Sequence, residues 1–186
     1  MPQDALIEST RELFGRVVYT HKTHEKERER LSRLGTLSRW TNIILNALTL
    51  GGVVSIFNTG SQEALIATAL LATLSAAYAL IQLSFDPVGA AASHRAAAKR
   101  LLGIRDELQL LLSDLSDNAV DPDSARARRN RLADDAQYAY ELAPDTSPRS
   151  YRAASKALQV DEDMTFSDEE LNHFLPKALH WPKSVE

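Results

Sequence analysis

The chain has 186 residues, 44% of them hydrophobic and 25% charged, with a formal net charge of −4. Such averages suit an ordinary soluble domain, and the absence of cysteine removes disulfide frameworks, thiolate nucleophiles and thiolate metal sites. They hide a partition: of 21 basic and 25 acidic side chains, only Glu63 falls within residues 40–85.

The first residues carry Asp4, Glu8, Arg11 and Glu12 instead of the short basic region and apolar core of a secretory signal. The uncharged block is therefore expected to remain as an internal anchor. Before it, Leu6, Leu13 and Val17 form one helical stripe with Ile7, Phe14 and Val18 beside it, which predicts a long helix. Its middle, Tyr19 to Arg30, has no aliphatic residue but places opposite charges at neighbouring helical positions, Glu25 with Arg28 and Glu29 with Arg33. That segment is expected to be solvated or to face a polar partner. His21 and His24, three apart, put two imidazoles on one side of a helix, as a metal site would need. No third ligand completes a recognised spacing, since Glu25 directly follows His24 and points elsewhere, so no metal is expected.

The uncharged block divides into two apolar segments, Trp40 to Phe57 and Ala64 to Phe85, separated by the turn formers Asn58-Thr-Gly-Ser-Gln-Glu63. A helix rises about 1.5 Å per residue and a hydrocarbon core is roughly 30 Å thick, so about 20 apolar residues span it. Two transmembrane helices joined by a short loop follow, with Trp40, Phe57 and Phe85 as interfacial anchors and Asp86-Pro87 as a stop. Lys22, Lys26, Arg28, Arg30, Arg33 and Arg39 precede the first span, and Arg95, Lys99, Arg100 and Arg105 follow the second, whereas the loop has no basic residue. The positive-inside rule then places both termini in the cytoplasm of a multi-pass membrane protein. The alternative is a buried hairpin in a soluble helical bundle.

Within the spans, Asn42, Asn46 and Thr49 share one face of the first helix, and Thr68, Ser75 and Gln82 share one face of the second. Unpaired amides are unfavourable in hydrocarbon, so these residues either join helices or line a water-filled path. After the spans, Ala97, Leu101, Ile104, Leu108, Leu111 and Leu115 make a heptad-like seam for another helix. Packing on the N-terminal helix of the same chain and self-association both satisfy it.

Beyond Asp117 the chain changes character, so residues 1–116 are expected to form the membrane core and 117–186 a helical extension. Asp121-Pro122 and Ser147-Pro148 open two helices, through about Ala143 and Leu158, and Ser167 with Glu170 has the spacing of a capping box. The whole chain reads as all-α. Arg126, Arg128, Arg129 and Arg131 form the densest basic cluster, but Asp134, Asp135 and Glu141 follow and no aromatic interleaves. A solvated face or an acidic protein partner is expected there, and direct nucleic-acid binding is not. His94, His173 and His180 are isolated, and no catalytic constellation or cofactor motif is visible.

The order of features resembles the SLATT domains: Arg16-Val-Val-Tyr-Thr-His-Lys-Thr-His24, Gly51-Gly52 in the first span, Phe85-Asp86 closing the second, and the helix from His94 to Leu115. In the tail, Ala143-Pro-Asp-Thr-Ser-Pro148, Met164-Thr-Phe-Ser-Asp-Glu-Glu170 and Phe174-Leu-Pro176 are similar to a subfamily associated with reverse transcriptases. The resemblance implies a non-enzymatic, anti-phage membrane effector of bacterial conflict systems. It would form homo-oligomers that permeabilise the inner membrane when a cytoplasmic partner, a reverse transcriptase or a nucleotide-signal-producing enzyme, triggers it. The rival expectation is a non-conducting membrane-anchored adaptor that recruits a partner enzyme.

Overall fold

In a computed structural model, which describes residues 2–181, the chain is helical throughout, with no strand among those residues. Met1 and residues 182–186, at the ends of the two expected segments, lie outside the described residues. Helix α1 runs unbroken over Pro2–Thr59, α2 over Gln62–Ser84 and α3 over Pro87–Ser116. These are followed by α4 (Pro122–Leu142), α5 (Pro148–Gln159), α6 (Asp168–Phe174) and the short 3₁₀ helix η1 (Lys177–Leu179).

The first 58-residue helix is about 87 Å long at the usual rise. Helices α2 and α3 fold back along it, α2 against its apolar end and α3 against its charged end. The link between α1 and α2 is tighter than the six-residue loop expected, because Asn58, Thr59, Gln62 and Glu63 all belong to helices. Gly60 ends α1 at φ 61°, a left-handed conformation that costs glycine little. Its N–H bonds the Ile56 carbonyl at 2.9 Å, the αL form of helix termination. Ser61 then caps α2, its hydroxyl accepting from the Ala64 N–H. At the other end of α2, Asp86 caps α3, its carboxylate accepting from the N–H groups of Val88 and Gly89, with Pro87 as the first helical residue.

The two apolar segments are not a buried core. Thr68 is the one buried residue of α2, while Phe57 is 86% exposed, Leu83 84% and Leu70 67%. A core hairpin of a soluble bundle would have these side chains covered. Both helices are long and apolar enough to cross a membrane, and lipid is the solvent that leaves such a surface without penalty. The hairpin thus rejects the soluble-bundle alternative on packing grounds.

The water-soluble core forms at the open end of the hairpin, where α1, α3 and α4 meet. Leu6, Leu13 and Val17 of α1 pack with Leu101, Ile104, Leu108, Leu111 and Leu115 of α3 and with Ala125, Leu132, Ala136 and Ala139 of α4. The core therefore draws on both sides of residue 117. The seam of α3 is filled by this chain's own helices, and Ala98 takes the buried place at its start while Ala97 is only half-buried. Helix α5 lies on α1 and buries only small residues, Ser150, Ala154 and Ala157.

The hairpin helices approach each other closely at Gly52. A Cβ added there would lie 2.2 Å from the Thr68 hydroxyl, whereas one at Gly51 would meet nothing within 4 Å. Gly52→Ala is expected to weaken the hairpin by about 1–3 kcal/mol, the usual cost of overpacking, and Gly51→Ala to leave it unchanged. Unfolding of the purified protein in detergent checks this; removing the hydroxyl in a Gly52→Ala/Thr68→Ala double variant should restore most of the loss.

Candidate functional site

Two polar layers stand out in a structure otherwise made of apolar contacts, one inside the hairpin and one below it. In the hairpin, the Asn42 amide donates to Gln82 Oε1 across a long 3.5 Å. Asn46 donates to Asn42 Oδ1, and Ser75 donates to Asn46 Oδ1 at 2.9 Å. Below them Tyr78, from α2, donates its hydroxyl to Ser38 Oγ at 3.1 Å. Thr49 and Thr68 return their hydroxyls to their own helices, at the carbonyls of Leu45 and Ala64.

Four of the six polar span residues singled out from the sequence therefore meet one another, as a ladder across the α1–α2 contact, while Thr68 packs on Gly52. Asn46 is also exposed on the outer surface of the hairpin. Ser38 and Tyr78 belong to the same ladder and were missed. Tyr78 falls three residues after Ser75 and four before Gln82, so its helical spacing was visible, but the sevenfold spacing of the chosen residues passed over it.

The second layer lies in the segment of α1 that carries no aliphatic side chains. Its stripe continues straight on from the apolar one: His21 is 4% exposed, His24 2% and Glu27 3%. The expectation of a solvated segment fails here, and the polar partner it faces is the chain's own α3 and α5. His21 Nδ1 donates to the Ala98 carbonyl at 2.8 Å. His24 Nδ1 and His94 Nδ1 are 2.9 Å apart, a separation that requires one ring to donate and the other to accept, so the pair shares a single proton at that contact. Burial pushes the His24 imidazole down to about 4, with the neighbouring His94 and His21 rings adding to the shift. Burial lowers His94 as well, the Arg30 charge assisting and the Glu27 carboxylate opposing.

Glu27 is the hub of this layer. Its carboxylate accepts from the Ser147 N–H at 3.3 Å, the Ser147 hydroxyl at 2.6 Å and the Ser150 hydroxyl. Arg30 donates to its other oxygen through Nε at 3.0 Å and through Nη2. Burial alone would raise its proton affinity, but these donors outweigh it and hold the carboxyl at about 2. A buried carboxylate thus clasps the first turn of α5. A second clasp lies at the far end of α5, where Asp163 accepts from Lys22 at 3.0 Å and sits 3.6 Å from Lys26. The two residues flanking Asp163, Glu162 and Met164, hold φ of 52° and 73°, conformations costly for side chains of their kind.

His21, His24 and His94 do not assemble a metal site, since no cluster of three suitable ligands occurs among the described residues. The arginine cluster of α4 is partly neutralised, Arg128 by Asp114 at 3.0 Å and Arg126 by Asp123 at 3.7 Å. His173 and His180 lie in the tail, apart from both layers.

Two outcomes follow from the lower layer. Glu27→Gln removes the charge from a site with several donors, and hydrogen exchange should show residues 148–159 losing protection while α3 and α4 keep theirs. Equal loss across the bundle would mean that Glu27 supports the core and not α5 specifically. For His24 and His94, a folded value below the unfolded one of about 6.5 means that the unfolded chain binds the proton more readily. The His24 contribution is complete above about pH 6.5 and is lost as the pH falls toward 4, by up to about 1.4 kcal/mol per pH unit. Denaturant titrations at pH 7.5 and pH 5 should show this slope in the native chain and a smaller one in His24→Asn; the Glu27 contribution, by the same linkage, is complete above its unfolded value of about 4.5 and is lost as the pH falls from there toward 2, below this window.

Residues 6–170, nearly the whole chain, match the family described as SMODS and SLOG-associating 2TM effector domain family 4. No curated protein and no solved structure is detectably similar. The match agrees with the two exposed apolar helices and covers the helices that carry both polar layers. The chain is a membrane protein, and it belongs to the SMODS and SLOG-associating two-transmembrane effector domains.

Proposed function

We propose that this protein is the membrane effector of a bacterial conflict system, a chain that oligomerises in the inner membrane and permeabilises it when a cytoplasmic partner signals. The observation that carries this reading is the hairpin: a pair of apolar helices exposed over most of its surface, with polar side chains along the contact between them. Asn46 is exposed as well as bonded within the ladder, so a second hairpin placed against it would find an amide to pair with or a path to share. The basic residues that flank the spans support cytoplasmic termini. The bundle of α1, α3, α4 and α5 then faces the compartment where a reverse transcriptase or a nucleotide-signal-producing enzyme would act.

One observation favours the rival reading as an adaptor. Because the ladder satisfies Asn42, Asn46, Ser75 and Gln82 within one chain, those residues are accounted for as packing contacts without any conducting path. Depolarisation separates the two. Cysteines placed at Gln62, beside the turn, and at Ser113, in the bundle, should label from opposite sides, Gln62 from outside and Ser113 only after permeabilisation. On that background Asn46→Leu/Gln82→Leu should hold membrane level while triggered depolarisation falls, if the ladder lines a path. If it only joins helices, crosslinked oligomers and depolarisation should fall together, at about 0.6–2 kcal/mol per lost bond. A protein that never depolarises the membrane when triggered would overturn the effector reading in favour of the adaptor.

A further inference from the structure

Just below the spans, α1 and α3 leave a cleft of about 260 Å³. Three guanidinium groups line it, those of Arg28, Arg39 and Arg95, together with the side chains of Ser32 and Thr36, over a floor that includes Val88 and Ala91. No acidic side chain lines the cleft. Arg28 is matched by Glu29 at 3.9 Å and by the field of Glu25, whereas Arg39 and Arg95 take part in none of the ion pairs found among the described residues. Lys22, Lys26 and Arg30, by contrast, are each matched by Asp163, Glu25, Glu29 or Glu27. Asp86, beside Val88 of the cleft, is occupied in capping α3.

The depth of the cleft identifies what would neutralise it. Arg39 adjoins Trp40, the anchor of the first span, and Thr36 and Ser32 lie about 6 and 12 Å further along the helix at the usual rise. The polar layer on each side of a hydrocarbon core is roughly 5–8 Å thick. Arg39 and Thr36 therefore sit at the level of lipid phosphates, Arg95 lies beyond them on a helix that starts at the membrane, so that its side chain leans back toward it, and Arg28, about 18 Å from Trp40, lies outside the headgroup layer. We propose that this cleft seats the headgroup of an anionic glycerophospholipid, the phosphate against Arg39 and Thr36 and the remainder toward Ser32 and Arg95. Basic pockets between helices at the membrane surface hold such headgroups by this combination of fork-shaped donors and hydroxyls. A bound lipid would bridge α1 and α3 at the α2–α3 break, where the chain has its only joint between span and bundle on that side. The inference goes beyond the effector reading and rests only on insertion of the hairpin.

The test uses the full chain in mixed micelles of phosphatidylcholine and phosphatidylglycerol, with retained lipids counted by native mass spectrometry. Phosphatidylglycerol should be retained over phosphatidylcholine. Arg39→Gln/Arg95→Gln should lower that preference by about thirtyfold, from the usual contribution of two basic residues at an anionic surface. Arg39→Lys/Arg95→Lys should lower it less, since charge survives and the fork is lost. Both side chains are exposed, so these variants keep the fold, which circular dichroism checks. A control of equal charge change, Arg131→Gln/Arg152→Gln on exposed faces of α4 and α5, should change nothing. An unaltered preference in the glutamine variant, or an equal fall in the control, would overturn the site in favour of diffuse surface attraction. Displacement of the lipid by millimolar glycerol phosphate would overturn the lipid source in favour of a soluble phosphate. Flotation of the native chain with neutral vesicles reads insertion separately, so failure of the membrane reading is distinguishable from failure of the site.

Discussion

An α-helix of 58 residues with no internal break is a rod, and both halves of this molecule are fixed to the same one. One end of α1 lies in an apolar pair with α2, and the other carries the bundle. No proline interrupts it after Pro2, and its hydrogen-bond ladder is continuous, so a rotation or tilt at the bundle end has no joint in which to dissipate before it reaches the span. The opposing strut does have a joint, at Phe85-Asp86-Pro87, where α2 ends and α3 begins with its own cap. Relative movement of the two struts is thereby confined to a single place.

What holds the bundle to the rod varies along it. Near the N-terminus the contact is apolar and closely packed, through Leu13, Val17, Leu108 and Leu111. Nearer the spans the same stripe becomes His21, His24 and Glu27, and the contact depends on shared protons and one carboxylate. Apolar contacts tolerate small shifts in angle, whereas a buried carboxylate with several donors has one good geometry and a large penalty for losing it. Helix α5, which contributes little apolar area, is therefore the element of the bundle whose attachment is closest to all-or-none.

Much of this was legible in the residues themselves. The near-absence of charge between Trp40 and Phe85 located both spans, and Asp121, Ser147 and Ser167 marked the helix entries at which caps are found. The capping box at Ser167 and Glu170 is present as its spacing indicated. The polar middle of α1 was not legible, for a physical reason. Periodicity reports which residues share a face but not what covers that face, and the groups covering His24 and Glu27 lie 70 and 120 residues away in sequence. A charged, aliphatic-free stretch is ordinarily solvated; here the heptad positions continued through it, and His21, His24 and Leu31 in register with Leu13 and Val17 were the overlooked sign. The hairpin loop was judged too long for a related reason, because Asn58, Thr59, Gln62 and Glu63 favour turns locally but fit a helix when a single left-handed glycine reverses the chain.

That reversal has a consequence for how the molecule can be addressed. With Gly60 and Ser61 alone between two helices, the far face of the membrane is offered little more than a turn: no domain, no basic side chain and one carboxylate, Glu63. An antibody, a protease or a ligand on that face has almost nothing to grip there. The hairpin is in this sense blind on one side, and any information that changes its state has to arrive through the bundle or through the lipid around it.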